Sequence, residues 1–259
     1  MAIGLQRREK VELLERTDLF QKEINALRPM EGEMLRQIRD YYRVGLTWTS
    51  NALEGNSLTE SETKVLLEDG LTVGGKPLRD IFEAADHAKA YDFMFSLIRE
   101  RRIEESAAVR MHELFYWNIE REYAGRYRDI PVIVTGSRYP VAAPEKIGEE
   151  MERLFEWARK EREEYHPVAF AAQLHRRFVF IHPFKDGNGR VARLLMNLAL
   201  LQDGYLPAIV PPILRSDYVA LLERAHTEDE DFVAFIAERE LESQKEILRL
   251  FGVPFPKNI

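Results

Sequence analysis

One segment of the sequence, from His182 to Arg193, contains residues whose types and spacing are suited to chemistry. Pro183 disfavours helix at His182, and a new apolar helical pattern begins at about Asn188. Two glycines flank Asn188, so the backbone can approach a ligand closely, and N–H groups at the start of a helix bind anions. Histidine near neutral pH is a suitable general base, and Asp186 is a hard ligand of the kind that Mg²⁺ takes beside phosphates. The segment therefore predicts a polyphosphate site with Mg²⁺.

The arginines of this segment also support the prediction of a phosphate site. Arg190 and Arg193 are three positions apart, which places them on one side of a helix, and their planar guanidinium groups suit phosphate oxygens. Taken singly, each residue of the segment is typical of an ordinary helix connection, because Gly, Asn and Asp are the usual turn residues. A simple cap does not need a histidine, an aromatic residue and two arginines as well, so the combination favours a ligand site.

The stretch His182 to Arg193 resembles the signature of Fic-domain proteins, H-x-F-x-[DE]-G-N-G-R-x-x-R, at every functional position. The similarity extends over about residues 48–250. It implies an enzyme that transfers AMP from ATP to a Ser, Thr or Tyr hydroxyl of a target protein and releases pyrophosphate. By this resemblance His182 is the catalytic base and Asp186 holds Mg²⁺. A related branch that phosphorylates its targets lacks the second glycine, and Gly189 argues against that branch.

The resemblance also implies a set of nucleotide-binding residues. The set consists of Phe184, Lys185, Asp186, Gly187, Asn188, Gly189, Arg190, Arg193, Tyr218 and His226. In it, Asn188 is expected near the α-phosphate, Arg190 on the β-phosphate side and Arg193 at the γ-phosphate, while Phe184 anchors the loop in the core. The last two residues, on the C-terminal helices, are expected to reach the base and ribose. Relatives often carry Asn where this chain has His226, which is a departure from the family pattern.

A second pattern precedes this segment. Ser50, Glu54 and Gly55 match [ST]-x-x-x-E-[GN], the inhibitory motif of Fic proteins, in the N-terminal position that defines class II. The resemblance implies that Glu54 pairs with Arg193 and occupies the place of the γ-phosphate. The simpler alternative is a helix end with a solvated glutamate and a glycine cap.

Apolar residues recur at helical spacing through most of the chain, which predicts a mainly α protein. The expected fold is a Fic-type helical bundle, with separate helices over about residues 31–44 and 47–53. We expect an N-terminal helical segment over 1–58, which includes the motif at 50–55, and a catalytic domain with C-terminal helices over 59–259.

One segment has a different pattern. The run 130–134 is β-branched and is followed by turn residues at 135–137, which predicts a small β-hairpin. By resemblance the hairpin is a flap on which Val132, Ile133 and Val134 bind a target segment by strand addition.

Composition excludes several other classes of protein. The 259 residues include no cysteine, so disulfide frameworks, zinc–thiolate sites and cysteine nucleophiles are excluded. The net charge of −7 disfavours nucleic-acid binding. No apolar run approaches the roughly 20 residues that span a bilayer. These features predict a cytoplasmic protein without a membrane partner.

Three alternatives stay open at this stage. The same site with Glu54 is compatible with removal of AMP from a modified target, or with both reactions. A non-enzymatic regulator that binds nucleotide or DNA is the third, although the acidic charge disfavours DNA. The sequence leaves open the target protein, self-modification, homodimerisation and the event that relieves inhibition.

Overall fold

Helices make up most of the chain in the computed structural model, which describes residues 7–27, 32–72 and 74–256. The α-helices in these ranges are α1 (Arg7–Ala26), α2 (Gly32–Ala52), α3 (Glu60–Lys64), α4 (Leu78–Ser96), α5 (Glu105–Tyr116), α6 (Ile147–Glu161), α7 (Pro167–Ile181), α8 (Asn188–Gln202), α9 (Arg215–Arg224) and α10 (Glu230–Leu250). A π-helical turn, Val65–Asp69, follows α3. The predicted mainly α fold is confirmed. Among the described residues, no helix combines the length and the apolar character needed to cross a membrane.

Helix α8 lies at the centre of the fold. It is buried on nearly all sides, and it packs against α2, α4, α5 and α7. The start of α8 belongs to the predicted phosphate site. That site is therefore held by four surrounding helices.

The N-terminal helices are part of the same core. Phe20 and Ile24 of α1 and Tyr42 and Leu46 of α2 are buried in one hydrophobic cluster with residues of α7, α8 and α10. Helix α1 packs along α10, and α2 packs on α4. The boundary near residue 58 stays a prediction, and the outer ends of the two predicted parts, residues 1–6 and 257–259, lie outside the described residues.

The predicted interruption between residues 44 and 47 is wrong, because α2 is continuous from Gly32 to Ala52. A glycine inside a helix costs about 1 kcal/mol relative to alanine. Here Gly45 permits close packing, since a β-carbon on it would lie 3.3 Å from Cδ1 of Ile209. One helix therefore extends from the core to the inhibitory motif.

The predicted β-hairpin is also absent. The described residues contain no β-strand, and within 130–141 a single backbone bond, from Ser137 N to Val134 O (3.1 Å), closes a turn. Pro131 and Pro140 have no N–H group to donate to a ladder. Ile133 is 94% exposed, so the segment gains little from burial that would favour pairing. Residues 130–141 are called the flap segment below.

Candidate active site

His182 lies at the turn between α7 and the predicted phosphate loop. It is the C-cap of α7 in the left-handed conformation (φ 54°), and its N–H donates to the carbonyl of Phe178 (3.1 Å). Pro183 stops the helix there, since the residue before a proline avoids the α-helical region. The loop then turns at Gly187 (φ 79°), where a β-carbon would lie 2.9 Å from the ring of Phe115. A glycine is therefore required at the start of α8.

The loop is closed by a pair of hydrogen bonds within itself. The buried side chain of Asn188 accepts a bond from the backbone N–H of Phe184 (2.9 Å) and donates one to the carbonyl of Phe184 (2.8 Å). Both hydrogen-bonding groups of the Asn188 amide are thus engaged in loop closure. The Phe184 ring is fully buried, as expected of a core anchor.

His112 supports this loop, a specific role that the sequence did not indicate. Its ring stacks on Phe184 with centroids 3.8 Å apart. Its Nδ1 accepts from the backbone N–H of Gly125 (2.9 Å), which leaves the proton on Nε2 to donate to the carbonyl of Asp186 (3.1 Å). Burial lowers the pKa of His112 to about 4, so the ring is neutral, as this pair of bonds requires.

Asp186 presents a half-exposed carboxylate to the cleft beside the loop. Its Oδ1 accepts from the backbone N–H of Gly187 (2.6 Å), and its Oδ2 lies 3.3 Å from Nη2 of Arg79. Arg190 also approaches, with Nη2 3.6 Å from Oδ1. This carboxylate is therefore oriented by the loop and is surrounded by positive charge.

Arg190 is buried against three side chains that neither motif specifies by residue type. Its Nη1 lies 3.4 Å from Oε1 of Glu83 and 3.4 Å from Oδ1 of Asn51, and its guanidinium group lies 4.1 Å from the ring centroid of Phe115. The partners are on α2, α4 and α5, far from Arg190 in the sequence. Only the packing of these helices brings them together.

Arg193 binds the predicted inhibitory motif directly. Its Nη2 donates to Oε1 of Glu54 (2.7 Å) and to the carbonyl of Ser50 (2.9 Å), and its Nε donates to Oγ of Ser50 (2.9 Å). The arginine is 4% exposed. The Glu54 side chain keeps 36% of its surface exposed, so the pair is shielded from water mainly on the arginine side; hydrogen bonds between charged groups are still stronger than neutral ones. The predicted contact between the two motifs is therefore present in the structure.

Further bonds hold the end of α2 at this position. Arg215 Nε donates to the carbonyl of Leu53 (2.7 Å), and the side chain of Asn56 donates to Oε2 of Glu83 (3.0 Å). Gly55 follows Glu54 with φ 95°, a conformation that favours glycine at a helix end. Gly55 therefore caps the C-terminal end of α2, as the alternative interpretation of the motif as a simple helix end also predicts.

The electrostatics define the charge states of the site at neutral pH. Burial by itself would raise the pKa of Glu54, but Arg193, and then Arg190 and Arg215, hold that pKa below its ordinary value. Burial lowers the pKa of His182, and Arg128 lowers it further. The carboxylate of Glu54 is therefore ionised, and the imidazole of His182 is neutral, as its predicted role requires.

These residues surround one cleft of about 190 Å³. The lining includes Glu54, Val179, His182, Lys185, Asp186, Gly187, Asn188, Gly189, Arg193, Tyr218 and Leu222. Pockets that bury a drug-sized ligand are commonly about 300–1,000 Å³. Glu54 thus forms part of the wall of the same small cleft as His182 and Asp186.

Comparison with known proteins identifies the family. Residues 102–200 match the sequence profile of the Fic/DOC family. Over 230 residues the chain is 33% identical to protein adenylyltransferase Fic of Nematostella vectensis, in an alignment that covers 87% of this chain and 53% of that protein. The chain belongs to the Fic/DOC family. It spans about half the length of the curated relatives that it matches.

Solved structures share the fold of this Fic/DOC chain. A fragment of Fic-1 from Caenorhabditis elegans superimposes with a TM-score of 0.85 and 28% identity, covering 95% of this chain and 73% of that one. A Fic domain-containing signalling protein from Bacteroides thetaiotaomicron superimposes with a TM-score of 0.83 and 27% identity, covering 94% of this chain and 100% of that one. The N-terminal helices are thus included in the shared fold.

The residues predicted for the nucleoside end of the site differ in placement. Tyr218 is buried on the cleft wall, where its hydroxyl bonds Nε2 of His175 (2.8 Å) and lies 3.4 Å from Nη1 of Arg193. His226 lies outside the cleft lining and stacks between Tyr139 (3.9 Å) and Phe180 (3.6 Å). The structure therefore does not bring His226 to the cleft. His226 instead links the flap segment to α7 through its contacts with Tyr139 and Phe180.

The flap segment is attached to the loop at its base as well. The buried side chain of Arg128 donates from Nε to the carbonyl of His182 (2.8 Å), from Nη1 to the carbonyl of Ile130 (3.0 Å) and from Nη2 to that of Ala142. One arginine thus connects Ile130, at one end of the flap segment, and Ala142, just after its other end, to the backbone of His182, the predicted catalytic base. Ile133 points into solvent, while Val132 and Val134 are half-buried.

The donor set fits a magnesium ion bound together with a nucleotide. No group of three or more His, Cys, Asp or Glu side chains converges as a metal cage within the described part of the chain. Mg²⁺ usually retains water and is bound through one or two carboxylates plus substrate phosphates. The half-exposed carboxylate of Asp186, beside the N–H groups that start α8, meets this requirement.

Proposed function

We propose that this Fic/DOC chain is a protein adenylyltransferase that transfers AMP from ATP to a Ser, Thr or Tyr hydroxyl and is inhibited by its own Glu54. The observation that carries the proposal is the ion pair between Glu54 and Arg193 in the cleft that His182 and Asp186 also line. The name of the Nematostella relative, protein adenylyltransferase, supports the reaction class. The modified protein is a separate target or the chain itself.

The proposed reaction is an in-line displacement at the α-phosphorus. The target oxygen forms the new bond to phosphorus, the bond to pyrophosphate breaks, and the hydroxyl proton passes to His182. The neutral imidazole suits this role, because burial lowers the pKa of His182. Such reactions depend mainly on positioning and charge neutralisation.

The remaining residues would hold the nucleotide. The backbone N–H groups of Asn188 and Gly189 at the start of α8 would form an anion site, since the N–H of Gly187 is bonded to Asp186, and Arg190 and Arg193 would supply positive charge. When bound at Asp186, Mg²⁺ neutralises phosphate charge. Lys185 is turned toward Glu120 (2.8 Å), so it contributes to the rim of the site.

The inhibition follows from competition for Arg193. A γ-phosphate needs the guanidinium group that Glu54 and Ser50 engage in this structure. The ionised Glu54 also repels a polyphosphate that enters the cleft. ATP would therefore bind without the alignment that transfer requires.

For the target protein, the proposed docking element is the flap segment. Its backbone belongs to no β-ladder among the described residues, and Ile133 is exposed beside the half-buried Val132 and Val134. A target segment that adds as a strand would obtain main-chain hydrogen bonds there. The hydroxyl of that segment would then be carried toward His182, to which Arg128 attaches the base of the flap segment.

Incorporation of AMP from α-labelled ATP with Mg²⁺ tests the proposal. We expect strong labelling in Glu54→Gly, weak labelling in the unmodified chain and none in Glu54→Gly with His182→Ala. Circular dichroism and ATP binding of the double variant show that loss of labelling is not loss of folding. Equal labelling of the unmodified chain and Glu54→Gly would refute the inhibitory role.

Removal of AMP from a modified target is the second candidate. It is favoured by one observation, since Glu54 is ionised and lines the same cleft as His182. A carboxylate in that place is suited to orient a water molecule. Release of AMP from a labelled target by the unmodified chain, and its loss in Glu54→Gly, would support this reaction.

A further inference from the structure

Four charged side chains form a closed ring beside the cleft. Arg79 Nη2 lies 3.3 Å from Asp186 Oδ2, and Asp186 Oδ1 lies 3.6 Å from Arg190 Nη2. Arg190 Nη1 lies 3.4 Å from Glu83 Oε1, which accepts in turn from Arg79 Nε (3.1 Å). Positive and negative groups alternate, so every member of the ring has two opposite charges beside it.

The two arginines of the ring have different surroundings. The Arg190 side chain is 3% exposed, whereas that of Arg79 is 59% exposed on the first turn of α4. When Arg79 moves away, Glu83 keeps Arg190 and the amide of Asn56 as partners. Arg79 can therefore leave the ring without leaving a buried charge unpaired.

A metal ion at Asp186 would compete with Arg79. Oδ1 of Asp186 is already bonded to the N–H of Gly187, and Oδ2 faces Arg79. A divalent cation on this carboxylate would stand close to the guanidinium charge, and like charges repel strongly at such distances. The guanidinium group and the metal ion would therefore compete for Oδ2.

We propose that Arg79 neutralises Asp186 in the metal-free protein and must be displaced when Mg²⁺ binds with the nucleotide, so that Arg79 raises the Mg²⁺ concentration the site requires. This inference rests on the proposed function, because it takes Asp186 as the metal ligand. It assigns a role to a residue outside both sequence motifs. Removal of the positive charge should lower the half-saturating Mg²⁺ concentration about two- to fivefold, the range that an exposed ion pair supports.

The test uses thermal stability, so that no turnover is needed. The parent protein, Glu54→Gly with His182→Ala, is mixed with excess ATP, and its melting temperature is followed as Mg²⁺ is added. The same titration is carried out on the parent with a third substitution, which is Arg79→Gln, Arg79→Lys or Arg110→Gln. Arg110 is the matched control, because it is 50% exposed and pairs with Glu113 (2.6 Å).

We expect Arg79→Gln to reach half-saturation at a lower Mg²⁺ concentration, while Arg79→Lys and Arg110→Gln stay near the parent. An unchanged or higher half-saturating concentration in Arg79→Gln would overturn the role of Arg79; a higher value would indicate that Arg79 contacts the nucleotide. A melting temperature that ATP and Mg²⁺ do not shift in any variant would instead refute the nucleotide site, and the role of Arg79 with it.

Discussion

Oε1 of Glu54 lies 2.5 Å from the position that a β-carbon would take on Gly189. The same β-carbon would lie 3.1 Å from Nη1 of Arg193. The Glu54 carboxylate therefore lies directly against the backbone of the proposed phosphate-binding loop. The absence of a side chain at residue 189 is what lets Glu54 reach Arg193.

This contact predicts the effect of Gly189→Ala on stability. In the unmodified chain the added methyl group displaces Glu54, and we expect the free energy of unfolding to fall by about 1–3 kcal/mol, as for other overpacked sites. In Glu54→Gly the same substitution should cost less, because the obstacle is gone. Urea unfolding of the four proteins in this double-mutant cycle measures the difference.

Gly148 provides the control for that cycle. It lies in α6, and no atom stands within 4 Å of the place that a β-carbon on it would occupy. Gly148→Ala should therefore stabilise the chain by roughly 0.5–1 kcal/mol, in both backgrounds alike. An equal cost of Gly189→Ala with and without Glu54 would contradict the contact.

Ser50→Ala should weaken the proposed inhibition without abolishing it. Arg193 Nε loses the Oγ acceptor at 2.9 Å but keeps Glu54 and the carbonyl of Ser50. We expect labelling with AMP to rise about tenfold, since a hydrogen bond to a charged group contributes about 1.5 kcal/mol or more. The rise should stay below that of Glu54→Gly.

Two comparisons separate this effect from a change in the helix. Thr49→Ala removes a hydroxyl that bonds only the α2 carbonyl of Gly45 among the described contacts, and it should leave labelling unchanged. Ser50→Ala should have no effect when Glu54 is already glycine. A further increase in that background would mean that Ser50 acts on the site by another route.

The pH dependence of transfer should reflect a base with a depressed pKa. Burial lowers the pKa of His182 below 6.5, with a contribution from Arg128, while Glu54 opposes the shift. The neutral imidazole is the active form, so transfer is retained above that pKa and is lost as the pH falls through it. In a pH profile of the transfer rate of Glu54→Gly, the midpoint of the loss of activity on the acid side should lie below pH 6.5. A midpoint at or above pH 6.5 would exclude His182 as the titrating base.

Loss of the His226 stack should release the flap segment. His226 packs between Tyr139 and Phe180, and Arg138 N donates to Glu223 in the same region (2.7 Å). Aromatic pairs contribute about 0.5–1.5 kcal/mol each beyond burial. His226→Ala should therefore speed hydrogen–deuterium exchange in residues 132–141, whereas Tyr139→Phe keeps the stack and should not. Equal exchange in the two variants would show that other contacts hold the segment.

The signature segment was predictable because its parts are contiguous. The His-Pro step ends α7, two glycines permit the turn, and Arg190 and Arg193 lie one helical turn apart on α8. Local backbone preferences and helical spacing determine these placements, and they do not depend on the rest of the chain. The mainly α fold followed from the same kind of local pattern.

The errors arose where tertiary packing overrides local preference. Separate helices were predicted over 31–44 and 47–53, yet α2 is continuous and close contact with Ile209 accommodates Gly45. The β-branched run at 130–134 suggested a hairpin, but two prolines and an exposed surface leave it unpaired. His226 stacks on the flap segment, outside the lining of the cleft, and its predicted contact with the nucleotide stays a prediction.

The sequence by itself determined the local backbone of the loop, and it indicated the predicted chemistry and an upstream glutamate that could oppose it. Only the tertiary structure decided which distant side chains complete the site: His112 beneath the loop, Glu83 on Arg190, and Arg79 on Asp186. These residues belong to no motif, because their roles depend on how α4 and α5 pack against α8. Spacing along a chain specifies which groups share one helix face, whereas contacts between helices depend on the burial of the whole core.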